Sequence, residues 1–286
     1  KLFFKEEITP RHAEKFLFIL GPTLAMILAC MTGAVIPWTT PFQWGDSVIV
    51  PQIADINVGF LYILGVLSLG VYGIMLGSWA SNNKWSLMGG LRAASQIISY
   101  ELPMGLALIA ILMISGTLRL GGIVEGQMDG YWNIILQPIG FIIFLVCAFA
   151  ETNRTPFDLP EAENELIGGY HSEYSSMKLG FFLFAEYINI FISSVLIATL
   201  YFGGYDIPFV NDEKLTESLG MNTMAILHFL SLFVKACFFI FVFMWVRWTI
   251  PRFRYDQLMN LGWKTLLPLA LVNMLITGLI ILLLNN

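Results

Sequence analysis

Charge is scarce in this sequence. Only 12 % of its 286 residues are Asp, Glu, Lys or Arg, while 57 % are hydrophobic. A composition this apolar excludes a pair of soluble domains, which the length alone would allow. The few basic residues form no run that could bind nucleic acid. Each charge that does occur therefore needs a physical reason.

Motifs that bind redox cofactors or nucleotides are also missing. Cys30, Cys147 and Cys237 lie singly in apolar segments, without disulfide or metal-ligand spacing. No glycine-rich phosphate loop, dinucleotide fingerprint or pair of histidines on one helix face is found. The chain therefore has no visible means of binding nicotinamide, flavin, haem, an iron–sulfur cluster or ATP. We predict no metal site and no catalytic residue of its own, so any redox reaction would take electrons from a partner.

Long apolar runs dominate what is present. A transmembrane helix needs about 20 apolar residues, and the runs are continuous, unlike the alternating strands of a membrane barrel. No internal repeat supports an inverted-repeat transporter. The predicted fold is all-α, a polytopic transmembrane helical bundle forming one membrane domain over residues 1–286. Its seven predicted spans are 16–36, 57–77, 102–120, 134–150, 179–202, 223–246 and 265–284.

Lysine and arginine fall mostly on one side of this bundle. Twelve of the 15 basic residues lie in segment 1–15 or in the connections on the same side. The opposite side has Arg119 and Lys214, and Lys235 lies within a span. The positive-inside rule places the basic side in the cytoplasm, or in the matrix of an organelle. The chain begins at Lys1 without methionine, so we expect an upstream segment to be missing.

Carboxylates concentrate in the loop 151–178, on the basic side. Carboxylates that share a cavity repel one another, which raises and couples their pKa values and lets a cluster hold or pass protons near neutral pH. A solvated acidic loop is the simpler alternative, but Phe157 and Tyr170 interleave apolar groups that favour burial. Asp158 is predicted to cap a short helix that ends at Gly168-Gly169. The six carboxylates are Glu151, Asp158, Glu161, Glu163, Glu165 and Glu173.

Three further charges lie in or beside the apolar runs. Glu101 stands at a span entrance, and Glu186 and Lys235 lie inside spans. A charge in hydrocarbon costs about 2.5 kcal/mol or more, so it normally faces a partner or a wet cavity. Glu101 could instead snorkel to the interface. Together the three charges predict a polar path through the bilayer.

A resemblance gives these features a context. The loop stretch AETNRTPFDLPEAENEL at 150–166 resembles the signature loop of the H subunit of respiratory complex I, the proton-translocating NADH–quinone oxidoreductase. The mitochondrial counterpart is NADH dehydrogenase subunit one. That family has eight spans, of which this chain would supply the last seven. Further similar blocks, in family order, are KLFFKE, ADINVG, SNNKWSLMGGLR, QIISYE, AEYIN and PRFRYDQLM.

The resemblance implies a subunit that forms the membrane side of the quinone-binding chamber and couples quinone reduction to proton translocation. Quinone would be its substrate, entering from the lipid, while FMN and iron–sulfur clusters would sit on partner subunits. The implied partners are the peripheral arm with the terminal cluster and the neighbouring small membrane subunits. The implied chamber residues are Glu151, Arg154, Asp158, Glu161, Glu163, Glu165 and Arg92. The expected proton path comprises Glu101, Glu173, Glu186 and Lys235.

Other assignments compete with this one. A homologous membrane subunit serves energy-converting hydrogenases and formate- or F420-linked complexes. A stand-alone ion transporter would use the acids as its substrate path, and a structural anchor would use them only for docking. The expected location is the bacterial inner (cytoplasmic) membrane as a multi-pass protein, with the mitochondrial inner membrane as the alternative.

Overall fold

Long helices joined by short loops build the chain, which confirms the predicted all-α polytopic bundle. The computed structural model describes residues 1–208 and 220–285, apart from the side chains of residues 163, 164 and 285. Lys214 lies outside the described residues. Among them, six helices are long and apolar enough to cross a membrane.

The spanning elements follow one another along the chain with short helices between them. They are α1 (Lys15–Thr32), continued by a 3₁₀ turn (Gly33–Val35), α2 (Gly59–Ala80), α3 (Lys84–Ser115), α8 (Ser176–Tyr201) and α9 (Met221–Thr249). The sixth spanning element consists of α10 (Tyr255–Asn260), a π-helical turn (Leu261–Leu266) and α11 (Leu267–Asn285). The shorter helices are α4 (Leu120–Met128), α5 (Asn133–Leu136), α6 (Pro138–Glu151), α7 (Glu163–Leu166) and a 3₁₀ turn (Gly169–His171). A small antiparallel hairpin pairs β1 (Phe42–Trp44) with β2 (Ser47–Ile49).

The predicted span 134–150 is broken, so the described residues form six full-length spans instead of the expected seven. The break lies at Gln137, whose φ of −133° and ψ of 58° are not helical, immediately before Pro138. Helix α6 then has 14 residues and is about 21 Å long, shorter than the roughly 30 Å hydrocarbon core. Gln137 donates to Thr277 Oγ1 at 2.6 Å and accepts from Asn273 Nδ2 at 2.8 Å. These bonds to α11 satisfy the hydrogen-bonding groups of the Gln137 side chain inside the protein, at the point where the helix is broken.

Helix α3 begins well before the predicted span 102–120. Asn83 caps it by accepting from the Trp85 backbone N–H at 3.0 Å, and the helix continues for 32 residues through Pro103. Its length of about 48 Å exceeds a bilayer core. The segment holding Lys84 and Arg92, predicted as a connection, is therefore a helical extension beyond the span.

Close glycine contacts join α1 to α2. A Cβ added to Gly21 would lie 2.7 Å from Gly77 Cα, and one added to Gly73 would lie 2.9 Å from Ala25 N. Small residues at such crossings let helix backbones approach, which replaces the hydrophobic driving force that is absent in lipid. The main apolar core lies beyond this crossing, where α3, α6 and α8 pack together.

Replacing Gly73 by Leu should push α1 away from α2 and destabilise the bundle by about 1–3 kcal/mol. The measurement is the thermal unfolding midpoint of the purified assembly in detergent. Gly65→Leu is the matched control, because Gly65 is on the same helix and a Cβ there meets nothing within 4 Å. Equal midpoints for the two variants would contradict the close-packing argument.

Candidate functional site

The acid-rich loop folds back onto the extended half of α3. Ser86 Oγ donates to the Tyr170 backbone oxygen at 2.9 Å. A Cβ on Gly89 would lie 2.6 Å from the Tyr170 nitrogen, and a Cβ on Gly169 would collide with the Pro160 oxygen. Gly169 also has a φ of 63°, a conformation that favours glycine. Glycine is therefore required at position 89 of α3 and at position 169 of the loop.

The beginning of the loop is tied to α3 and to the segment before α10. Gln96 Nε2 donates to the backbone oxygens of Ala150 at 2.7 Å and Phe157 at 2.9 Å. The Phe253 N–H donates to the Pro156 oxygen at 3.1 Å. These bonds fix the turn that carries the first charged residues of the loop.

A buried charge cluster lies where this loop meets α8. Arg154 Nη2 is 3.0 Å from Glu186 Oε2, and the two side chains are only 11 % and 8 % exposed. Tyr170 donates its hydroxyl to Glu186 Oε1 at 2.6 Å. The Arg154 guanidinium also lies over the Tyr187 ring, 4.7 Å from its centroid. Glu186 is thus held by a cation and a hydroxyl that both come from the loop.

Glu161 brings a second carboxylate to the same cluster. Burial lowers the pKa of Arg154, but the attraction of Glu186 and then Glu161 outweighs this and raises it. Burial, followed by Glu186 and Glu161, raises the pKa of Tyr170 well above its usual value. His171 Nδ1 lies 3.8 Å from Glu161 Oε1. One guanidinium therefore faces two carboxylates in a place with little water.

Two small cavities connect Glu186 to carboxylates deeper in the bundle. Glu186 and Glu151 line a cavity of about 50 Å³ between α1, α2 and α8. Glu151 also lines a cavity of about 10 Å³ with Glu101 and Ser68, and the Ser68 hydroxyl donates to Glu101. The larger volume is sufficient for several waters, and the smaller is at the lower limit for one. The order along the cavities is Glu186, Glu151 and Glu101.

Asp158 does not cap a helix as predicted. Helix α7 begins only at Glu163, with Ala162 at the N-cap, and lasts about one turn. The Asp158 carboxylate instead accepts from Arg252 Nη2 at 2.6 Å, because the loop lies against the segment before α10. Burial and then Glu161 raise the pKa of Asp158 to about 6, with Arg252 opposing the shift.

The other predicted acids lie at the edge of this cluster. Arg92 Nη1 is 2.6 Å from Glu165 Oε2, with side chains 25 % and 56 % exposed, so this is a surface ion pair. Glu173 accepts from Asn83 Nδ2 at 2.6 Å. The side chain of Glu163 lies outside the described residues.

The Lys235 ammonium lies beside the backbone that follows the C-terminal end of α8. Its Nζ donates to the backbone oxygens of Phe202 at 2.7 Å, Gly204 at 2.9 Å and Asp206 at 2.6 Å. It also lies 4.8 Å from the centroid of the Trp132 ring. These contacts satisfy the carbonyls that follow the last turn of α8.

Sequence reasoning missed three polar side chains: Tyr170 and Ser68 donate to Glu186 and Glu101, and Gln96 holds the backbone of the loop. The sequence suggested only that Tyr170 is an apolar group that favours burial. Gln96 and Ser68 are uncharged residues inside apolar helices, and their polarity alone gave a weak signal. Among residues 1–208 and 220–285, no group of three or more His, Cys, Asp or Glu side chains could hold a metal ion.

The fold and the site define a class: a polytopic membrane protein with a buried acid–arginine cluster beneath a loop. The model of the NADH dehydrogenase family matches residues 1–278. An H subunit of NADH-quinone oxidoreductase from Cytophaga hutchinsonii is 62 % identical over 283 residues, covering 99 % of this chain and 82 % of the relative. The H subunit of Flavobacterium johnsoniae is 59 % identical over 282 residues (99 % and 80 %). Subunit 8 of the NADH-quinone oxidoreductase of Rhodothermus marinus is 50 % identical over 287 residues (98 % and 81 %).

The chain belongs to the NADH dehydrogenase family, as an H subunit of NADH–quinone oxidoreductase, respiratory complex I. The resemblance found in the sequence is confirmed. The chain is thus a membrane subunit of an enzyme complex.

Replacing Tyr170 by Phe should loosen the loop, because buried Glu186 loses a hydroxyl donor at a cost of about 1–3 kcal/mol. Hydrogen–deuterium exchange of the segment 161–174 in the purified complex should become faster. Tyr131→Phe is the control, since Tyr131 is exposed. Unchanged exchange in Tyr170→Phe would show that the hydroxyl does not hold the loop.

The raised pKa of Asp158 predicts a pH-dependent contribution to stability. The pKa of Asp158 is about 6 in the folded protein, against an ordinary value of 3.8. Its protonated form therefore stabilises the fold fully at pH values below 3.8, and this contribution is lost as the pH rises through 6. Asp158→Asn does not titrate. The thermal midpoint of the parent minus that of the variant should therefore fall between about pH 4 and pH 7. A difference that grows with pH would mean that the Arg252 ion pair dominates.

Proposed function

We propose that this chain forms the membrane side of the quinone-binding chamber and couples quinone reduction to proton translocation. The observation that carries the proposal is the buried cluster of Arg154, Glu186 and Glu161. Its two carboxylates and one guanidinium lie at the junction of loop and span. Buried carboxylates grouped around one cation are typical of sites that hold or move protons.

The carboxylates that lead away from the cluster support a coupling role. Glu151 lies between Glu186 and Glu101, sharing one cavity with each. Glutamates in apolar spans cost free energy unless they have partners or water. Among the described residues, no lysine or arginine lines either cavity beside them. A row of acids without cations in the same cavities lowers the stability of the fold, so we infer that its role is to pass charge.

The chemistry of the substrate gives the cluster its task. Reduction of a quinone to a quinol takes up two electrons and two protons. The sequence predicts no electron carrier on this subunit, so both electrons would come from the partner arm that bears flavin and iron–sulfur clusters. The acids of the loop respond by changing protonation or conformation, while Arg154 and the bordering Arg92 stay charged and balance them. Glu186, Glu151 and Glu101 pass this change on as an electrostatic step into the membrane arm.

Partners and location follow from the same proposal. The outward faces of α9 and α11 remain apolar, with Phe238 and Leu275 more than half exposed. They suit lipid and the neighbouring small membrane subunits. The loop, together with Arg252 and Arg254 before α10, would meet the peripheral arm. The relatives are bacterial proteins, which favours the bacterial inner (cytoplasmic) membrane.

The test is to neutralise the acids one at a time in the intact complex. Glu186→Gln, Glu151→Gln and Glu101→Gln should each lower quinone reduction and proton pumping about tenfold or more, because a positioned proton carrier is lost. NADH oxidation with an artificial acceptor that bypasses the quinone should be unchanged. Both rates are measured per assembled complex.

Glu125→Gln is the matched control, since Glu125 is an exposed acid on α4, away from the described cavities. Full coupled activity in all three site variants, with assembly intact, would refute the coupling role. It would favour a structural anchor.

The assembly itself is tested by what co-purifies from membranes in mild detergent. A flavin- and iron–sulfur-containing arm with NADH–quinone activity supports the proposal. A nickel-bearing partner would move the chain to the hydrogenase branch. A chain isolated alone and folded would favour a stand-alone transporter.

A further inference from the structure

Gln96 is a polar side chain of α3 that lies against the loop. It is fully buried, and its Nε2 faces three acceptors. These are the backbone oxygens of Ala150 at 2.7 Å and Phe157 at 2.9 Å, and Asn153 Oδ1 at 3.2 Å. A primary amide has only two N–H hydrogens. The longest contact, to Asn153 Oδ1, must therefore share a hydrogen with one of the other two acceptors.

The orientation of this amide is determined by its surroundings. Turning it by 180° would place Gln96 Oε1 against three oxygens, all of which are acceptors. In the observed orientation, Oε1 is buried and accepts no hydrogen bond from the described residues. The side chain therefore acts here as a neutral double donor.

The three acceptors bracket the segment 150–157, which carries two charged residues of the proposed path. Glu151 follows Ala150 directly and lines both cavities. Arg154 follows Asn153 and reaches Glu186 at 3.0 Å. One amide on α3 thus fixes the backbone on both sides of Glu151 and Arg154.

We infer that Gln96 is a positioning residue that sets where Glu151 and Arg154 stand relative to Glu101 and Glu186. This rests on the proposed function, because it assigns Gln96 a role in the same path. Gln96 touches neither charge through its side chain. It acts through the backbone and through Asn153, by holding the turn at one distance from α3.

A packing role and a positioning role predict different effects of substitution. Met fills nearly the same volume without donors, whereas Glu keeps the shape but brings an ionised oxygen against three acceptors. If Gln96 positions the turn, quinone reduction per assembled complex should fall in the order Gln, Met, Glu. Misplacement of reacting groups by about 1 Å costs up to roughly a hundredfold, and we expect about a tenfold fall in kcat for Gln96→Met.

Ser95→Ala is the matched control on the same helix. Ser95 is half-buried, and its hydroxyl contacts the Arg92 oxygen and Tyr255 rather than the segment 150–157. It should keep full quinone reduction. Gln96→Asn keeps the donors but shortens their reach, so its kcat should lie between those of the parent and Gln96→Met. This variant serves where Gln96→Met does not assemble.

A double-mutant cycle with Arg154→Lys provides a readout that a purely structural role would not move. If Gln96 acts by placing Arg154, Gln96→Met should lower kcat much less in the Arg154→Lys background than in the parent. Equal fold losses in both backgrounds would overturn the inference. So would full kcat per assembled complex in Gln96→Met or, where that fails to assemble, in Gln96→Asn.

These outcomes separate the inference from the proposed function. Loss in Arg154→Lys and Glu151→Gln with full kcat in the Gln96 variants rejects only the positioning role. Full coupled activity in Glu186→Gln, Glu151→Gln and Glu101→Gln rejects the proposed function itself.

Discussion

The ion pair between Arg154 and Glu186 is the constraint on which the rest of the site depends. Both side chains are nearly inaccessible, and removing two charges from water costs several kcal/mol per ion unless geometry and hydrogen bonds compensate. The loop must therefore return to α8 to bring Arg154 there, and Tyr170 must add its hydroxyl. The contacts of Gly89, Gly169 and Gln96 all serve this return.

Other polar groups in the spans are satisfied in separate places. Gln137 bonds to α11 at the break before α6, and Lys235 bonds to carbonyls beyond the end of α8. Within a bilayer each such group needs an internal partner. Lys235 is thus occupied by backbone, and it does not neutralise the row of Glu186, Glu151 and Glu101. Within the part of the chain that the structure describes, Arg154 is the cation that compensates this row.

The fold class and the chemical character of the loop could be predicted from the sequence, because hydropathy and the cost of buried charge act locally. The break at Gln137, the early start of α3 and the partner of Asp158 could not. Each depends on a residue far away in sequence, such as Thr277 or Arg252. The backbone partners of Lys235 could not be predicted for the same reason, since hydropathy indicates the depth of a side chain in the membrane but not which neighbours it contacts.

An imbalance of charge is the strongest argument that the cluster does more than hold the loop. A structural ion pair reaches its lowest free energy when the charges cancel, yet here Glu161 adds a second carboxylate beside one guanidinium. The two like charges repel each other, so the position of Arg154 beside them depends on the charge nearby. Under the proposed function, a change in charge at a bound quinone would shift Arg154, and Glu151 is the next acid along the cavities.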